Sequence, residues 1–414
     1  MSNSIANASY AERIEFVCEI ASRLHTYGTT AQRLEGAVVA LSAQLGLECE
    51  PWSSPTGLIL SFSDPARALG ERDATRVIRL APGENDLHKL CEADRIAEAV
   101  AGGAMSITQG QTALLGLDRK PGRRWQATQV AAFALASGSV AGLWRLPWLD
   151  IATAALIGLL IGVLSLLTER RPALKEASDA VSALLAALVA VLVANLVQPL
   201  NLNTVIIASL VVLLPGLTLT NAVNELTSQH LVSGVARFAG AIATVLKLTI
   251  GSVIAIELVR LAGFYPEIRA LRPQPDWVEW VALVLVAYAF AILFKASRRD
   301  YLWVMAAAIT GYLISRYAGS EWGSPAGIFL SALVLTAAGN AFARWANKPG
   351  AIIRVPGIIM LVPGSASLRG LLSLVQQQDV DVGNTALLAV LNIVLALVAG
   401  LLFGNLLMPA RKNL

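Results

Sequence analysis

Leu213-Leu214-Pro215-Gly216, and again Leu361-Val362-Pro363-Gly364, interrupt two long apolar stretches of this chain. A proline inside such a run removes a backbone donor and clashes with the preceding turn, and the glycine after it loosens the next, so each stretch is expected to be a broken helix. Both pairs lie about 12 residues into their stretch, roughly 18 Å at 1.5 Å per residue, which is near the middle of a bilayer core about 30 Å thick. Lipid cannot satisfy freed backbone groups, so breaks at that depth predict a protein-lined or water-filled cavity. The segments restarting after Gly216 and Gly364 would aim their positive N-terminal ends into it, where a carboxylate could sit.

Working outward, apolar stretches long enough to span fall near 126–146, 149–167, 180–198, 204–223, 236–259, 277–295, 301–318, 325–343, 351–371 and 384–408. The composition agrees: 56% of the 414 residues are hydrophobic and 14% charged, against roughly 25% charged in soluble proteins, which excludes disorder and a purely soluble enzyme. With a cytoplasmic start, sixteen Lys and Arg fall in inside segments and six outside, as the positive-inside rule requires. Trp144, Trp148, Trp277, Trp280, Trp303, Trp322 and Trp345 stand near span ends, where interfacial aromatics belong. Five spans precede the Arg260–Asp276 loop and five follow, so related halves would be inverted in the membrane. The expected fold is an all-α polytopic membrane protein of ten transmembrane helices: two inverted five-helix repeats, 119–262 and 277–410, with both termini cytoplasmic. A small cytoplasmic α/β domain, 1–118, precedes them.

That domain has nine basic and fifteen acidic residues, net −6, whereas the remainder carries +10. Helical periodicity runs over 9–46 with a break at Tyr27-Gly28, Leu58–Phe62 and Thr75–Leu80 alternate as a hairpin, and a helix follows from Asp86 to about Ala101. No apolar leader for cleavage opens the chain. Cys18, Cys49 and Cys91 match no metal or redox spacing, and His25 and His88 lack the pairing of a zinc site or a triad. With only His230 besides these, no membrane-edge catalytic cluster forms, and neither an enzyme, a metal nor a cofactor is expected. The charge excess belongs to loops beside spans and indicates no nucleic acid.

Leu214-Pro215-Gly216-Leu217-Thr218-Leu219-Thr220-Asn221-Ala222, followed by Glu225 and Ser233-Gly234-Val235-Ala236-Arg237, resembles the signature of the threonine/serine exporter family. Val355-Pro356-Gly357-Ile358, Leu361-Val362-Pro363-Gly364-Ser365 and Arg369-Gly370 resemble its second signature, and Tyr27-Gly28-Thr29-Thr30 with Arg33-Leu34-Glu35 fits its soluble part. The resemblance implies a secondary transporter of the cell (inner) membrane that exports threonine and serine, driven by protons. Related two-chain systems export dicarboxylates such as succinate, which keeps that alternative open, and a homo-oligomer is compatible with either.

Candidate substrate-binding positions follow the breaks: Pro215, Gly216, Thr218, Thr220 and Asn221 in one half, Pro363, Gly364, Ser365, Ser367 and Arg369 in the other. Lys247, placed mid-way along the fifth span, would hold a substrate carboxylate or pair with an acid, since a charge at that depth needs a cavity or a partner. Glu225 is the candidate for the coupled proton, with Asp379, Asp381 and Glu257 next. Asn195, Asn340 and Asn392 read as helix-to-helix glue. Pro356-Gly357 should loosen the start of the ninth span, and Gly158, in the second, should tolerate a larger residue better than Gly216. A channel, or a sensor reading a ligand through the acidic domain, is the rival class; saturable counterflow distinguishes a carrier from it.

The topology is checked with reporter fusions. One in the Lys295–Asp300 loop or after Leu414 should report cytoplasm and one in the Phe264–Gln274 loop the outside; the reverse pattern at the first two removes the ten-span arrangement.

Overall fold

A computed structural model describes residues 8–68, 70–118, 121–168, 171–263, 273–361, 368, 370, 372 and 380–410. The N-terminal domain begins with α1 (Tyr10–Thr26), started by a reciprocal Ser9/Glu12 capping box, and α2 (Ala31–Gln44). Between them Gly28 takes φ +85°, and a Cβ there would stand 2.7 Å from Asn85 Oδ1, so the turn requires glycine. Next come β1 (Glu48–Ser54), β2 (Gly57–Ser63) and β3 (Asp73–Arg79), then α3 (Leu87–Ala101) and α4 (Ile107–Gly116). The sheet is antiparallel in order β1-β2-β3, with Trp52 opposite Ile59 and Ile59 opposite Val77. On β2 the side chains of Leu58, Leu60 and Phe62 enter the core formed with Ile14, Val17 and Leu34, while Ile59 faces out. The hairpin read from the sequence is thus present but incomplete. Glu-Cys-Glu-Pro-Trp-Ser-Ser in β1 carries no apolar alternation, and its Pro51 fits only because β1 is an edge strand.

The membrane body comprises α5 (Arg123–Leu143), α6 (Trp148–Thr168), α7 (Pro172–Leu196), α8 (Leu202–Ser209), α9 (Gly216–Thr227), α10 (Leu231–Leu261), α11 (Asp276–Leu293), α12 (Tyr301–Trp322), α13 (Ser324–Ala346), α14 (Ala351–Ile359) and α15 (Val380–Leu407). Six of these (α6, α7, α10, α11, α13 and α15) are long and apolar enough to cross a bilayer, and the bent pair formed by α8 and α9 makes up to seven. At the first and seventh expected spans stand α5 and α12, 21 and 22 residues long but diluted by polar residues such as Gln126, Gln129, Arg316 and Glu321. The second break is not visible: Pro363, Gly364, Ser365, Ser367 and Arg369 lie outside the described residues. What precedes it is a helix, α14, that stops at Ile359 and runs through Pro356 unbroken. Pro356-Gly357 therefore does not loosen the helix. Gly357 instead lets α14 seat against α13, where a Cβ would meet Leu335 Cδ2 at 2.5 Å.

Close backbone approaches fix the body. In the first half α10 lies parallel to α7, with Gly251 against the Ala180 carbonyl; in the second α15 lies parallel to α13, with Gly400 against Phe329 and Gly404 against Leu333. All three pairs are separated by the same 71 residues, so the third and fifth helices of both halves meet in one register. At 31 residues, or roughly 46 Å at 1.5 Å per residue, α10 overshoots the start of α7 by about three turns, and that overhang meets the N-terminal domain.

Gly158 is also tightly held: a Cβ would lie 2.7 Å from the Phe133 carbonyl and 2.6 Å from Ser137 Oγ, where α5 packs against α6. Gly158→Val is expected to destabilise the body by about 1–3 kcal/mol through overpacking, read as a lowered melting temperature in detergent. Gly240→Val, on α10 with nothing within 4 Å, should stay within about 0.5 kcal/mol of the parent.

Candidate functional site

After Ser209 the backbone tightens into a short 3-10 turn, Val211–Leu213, passes through Leu214-Pro215, and restarts as α9 at Gly216 with a bend of 54°. This is the break expected at the first Pro-Gly pair. The helix α9 then shows two functional faces. Leu217, Asn221 and Asn224, at helical spacing, line a cavity between the domain and the membrane body, while Glu225 turns towards the domain.

Glu225 is fully buried. Its Oε1 accepts from the Ala31 backbone N–H at 2.9 Å and its Oε2 from Ser233 Oγ at 2.7 Å, and Arg237 Nε faces Oε2 at 3.0 Å as an ion pair. Ala31 opens α2, whose N-cap Thr30 offers no side-chain hydrogen bond. The membrane body thus caps a helix of the domain, placing a carboxylate at its positive end. Two further contacts hold the same joint. Glu35 accepts from Ser53 N and Oγ and meets His230 Nε2 at 3.1 Å, at the start of the α10 overhang. At the other end, the Leu87 and His88 N–H groups that begin α3 donate to the Phe294 and Lys295 carbonyls that end α11, at 3.0 and 3.2 Å, so two helix termini satisfy each other.

The cavity measures about 170 Å³, below the roughly 300–1,000 Å³ of drug-sized pockets, and so suits a small metabolite. Arg33 of α2 and Arg354 of α14 both line it. Arg33 donates to Asn340 Oδ1 at 3.3 Å, and burial pushes its guanidinium down to about 10. Asn340, 1% exposed, donates in turn to Asn405 Oδ1 and to the Met408 carbonyl, so it glues α13 to α15 as its sequence position suggested. Arg354 has a buried Nε without a hydrogen bond, and among the described residues neither arginine forms an ion pair with a carboxylate. Lys348, also lining, is held by Asp300; Asp94 of α3 lines the domain side.

Of the sequence candidates, the structure brings Asn221 to this cavity. Pro215 and Gly216 make the break, and the Thr220 hydroxyl is turned back on the Gly216 carbonyl of its own helix. Thr218 is half-buried and outside the lining. Lys247 is exposed beside the first turns of α7, with Asp179 Oδ2 at 3.7 Å and the Glu176 carbonyl at 3.2 Å. Of its two expected readings the structure shows the pairing with an acid, at the level of the first turns of α7. Buried His25 meets the Ala81 carbonyl at 3.1 Å with its pKa lowered by burial, a structural histidine. Sequence reasoning missed the pairing of Arg33 with Arg354. The signal available was Arg33 in the Arg33-Leu34-Glu35 motif; Arg354 reads as one more inside arginine.

A family model for threonine/serine exporters matches residues 15–259, and a second, also of threonine/serine exporters, matches 279–407. The chain is similar to pheromone-regulated membrane protein 10 of Zygosaccharomyces rouxii, 24% identical over 90% of this chain and 38% of that protein. It is similar also to those of Pichia sorbitophila, 24% over 89% and 38%, and Saccharomyces cerevisiae, 22% over 90% and 49%. It therefore spans less than half the length of these relatives. No solved structure matches it.

The Glu225 joint makes a measurable claim. Glu225→Ala strands the Ala31 N–H and leaves Arg237 without its acid, a loss of about 3–5 kcal/mol for a broken buried pair. Amide exchange at Ala31 and along the first turn of α2 should accelerate at least a hundredfold. Lys247→Ala, removing an exposed pair worth about 0.2–1 kcal/mol, should leave exchange there unchanged.

Proposed function

Because this chain belongs to the threonine/serine exporter family of membrane transporters, we propose that it is a secondary active exporter of threonine and serine, working by alternating access around the broken helix that ends in α9. The observation that carries this reading is the cavity: two guanidiniums that form no ion pair among the described residues line it together with the amides of Asn221, Asn224 and Asn340. A substrate carboxylate supplies the missing charge on the arginines. The amides then offer both donors and acceptors to an ammonium and a hydroxyl, as a small hydroxylated amino acid requires. The small volume of the cavity disfavours a large side chain.

The proposed arrangement in the membrane is ten spans in two inverted five-helix repeats with both termini cytoplasmic, in the cell (inner) membrane. Its support is the charge asymmetry of the loops and the shared register of the third and fifth helices in each half. Pro363, Gly364, Ser365, Ser367 and Arg369 are proposed to complete the site from the second half. Lys247 is proposed only as an interfacial anchor.

We assign the coupled proton to Glu225. Protonation would remove the charge facing Arg237 and weaken the acceptor that holds Ala31, so proton binding and the seating of the domain would be linked. A second reading, dicarboxylate export, is favoured by one feature: there are two guanidiniums, and a dianion would engage both.

Counterflow in vesicles holding only this protein tests these readings. Labelled threonine and serine should exchange saturably, Asn221→Leu should raise KM about tenfold, a change of about 1.4 kcal/mol, and Gly216→Val should abolish exchange without preventing insertion. Glu225→Gln should lose gradient-driven export yet retain exchange. Exchange of succinate but not threonine establishes the second reading instead, and non-saturating currents overturn both.

A further inference from the structure

We propose that Arg33 and Arg354 form a two-part clamp for the substrate carboxylate, so that the N-terminal domain supplies half of the binding charge and the site is complete only while the domain is docked. The inference rests on the transport reading of the cavity and deepens it by assigning a binding role to a domain outside the membrane.

The two arginines are anomalous among the enclosed cations. Arg13 faces Asp64, Arg23 faces Asp118 and Glu19, and Arg237 faces Glu225. Arg33 and Arg354 face each other's charge across the cavity instead, the one from α2, the other from α14. Juxtaposed like charges are unfavourable, and the fold nevertheless fixes both. A Cβ on Gly339 would lie 2.8 Å from Arg354 Cγ, so the missing side chain there makes room for the arginine stem. Arg33 is aimed by Asn340, itself immobilised by Asn405 and Met408. An anion between them relieves the repulsion and occupies donors such as Arg354 Nε, which has no partner of its own.

Arg33 can reach the cavity only through the joint. It lies two residues after Ala31, whose N–H is held by Glu225, and two before Glu35, which meets His230. A ligand that bridges both arginines must therefore bind the docked form more tightly, and by reciprocity must hold the domain down. Release to either side of the membrane then requires the domain to lift or the carboxylate to leave Arg33, which makes the domain the gate on its own side.

The test uses the full chain in detergent, titrated with threonine, serine, succinate and inorganic phosphate, with amide exchange at Leu87 and His88 reporting docking. Threonine or serine should slow that exchange at least tenfold in the parent. Arg33→Met and Arg354→Met should each weaken binding at least tenfold, and in Arg33→Met the ligand should no longer change exchange relative to that variant's own unliganded rate. Should Arg33→Met fail to fold, Arg33→Lys decides: it retains charge but not the fork, and a weakening of at least threefold is expected. Parent-like affinity in the Arg33 variants overturns the clamp even where threonine counterflow persists, in which case the transport reading stands without it. Binding that needs both arginines, in a protein that exchanges none of the titrated ligands across vesicles, supports the clamp and sinks the transport reading. Tight phosphate binding with no binding of any carboxylate overturns the assignment of the clamp to a carboxylate.

Discussion

The carboxylate of Glu225 is the point on which the rest of the molecule turns. It is fully buried, carried by the helix that restarts after Pro215, and it meets the backbone N–H of Ala31, the hydroxyl of Ser233 and the guanidinium of Arg237. A buried charge is tolerable only when such partners surround it, so the broken helix, the overhang of α10 and the first turn of α2 must be held together for any of them to be stable. The domain is consequently part of the same structure as the membrane body. Its second point of attachment, where α3 begins against the end of α11, satisfies terminal N–H and C=O groups that water would otherwise have to reach.

The break at Pro215 gives that junction its functional character. A continuous helix would leave Asn221 and Asn224 as two polar residues on a packed face. The bend turns them into a cavity wall opposite α13 and α14. Among the described residues the two arginines that line the cavity form no ion pair with a carboxylate, although the fold provides acids for Arg13, Arg23 and Arg237. Two like charges lining one small cavity favour an anion between them, which is the basis of the proposed clamp.

Small residues do the corresponding work in the body. Gly251, Gly400 and Gly404 let parallel helices approach backbone to backbone at one common register, in keeping with helix association in lipid, where close van der Waals contact replaces the hydrophobic drive of water. Gly158 and Gly357 likewise admit close neighbours, Phe133 and Ser137 at the one and Leu335 at the other.

The sequence by itself determined what depends on local chemistry. Hydropathy placed the apolar helices, the Pro215-Gly216 pair placed the break, and Tyr27-Gly28 placed the turn between α1 and α2. Tertiary structure alone decided what depends on approach between distant segments. Glu225 meets Ala31 across 194 residues and Arg33 meets Asn340 across 307, separations at which periodicity and spacing carry no information. For the same reason β1 was invisible, since an edge strand with Pro51 is held by its partner rather than by its own pattern. The neighbours of Lys247 were equally out of reach: the length of α10 can be counted along the chain, but that Lys247 stands beside Glu176 and Asp179 of α7 is decided by packing.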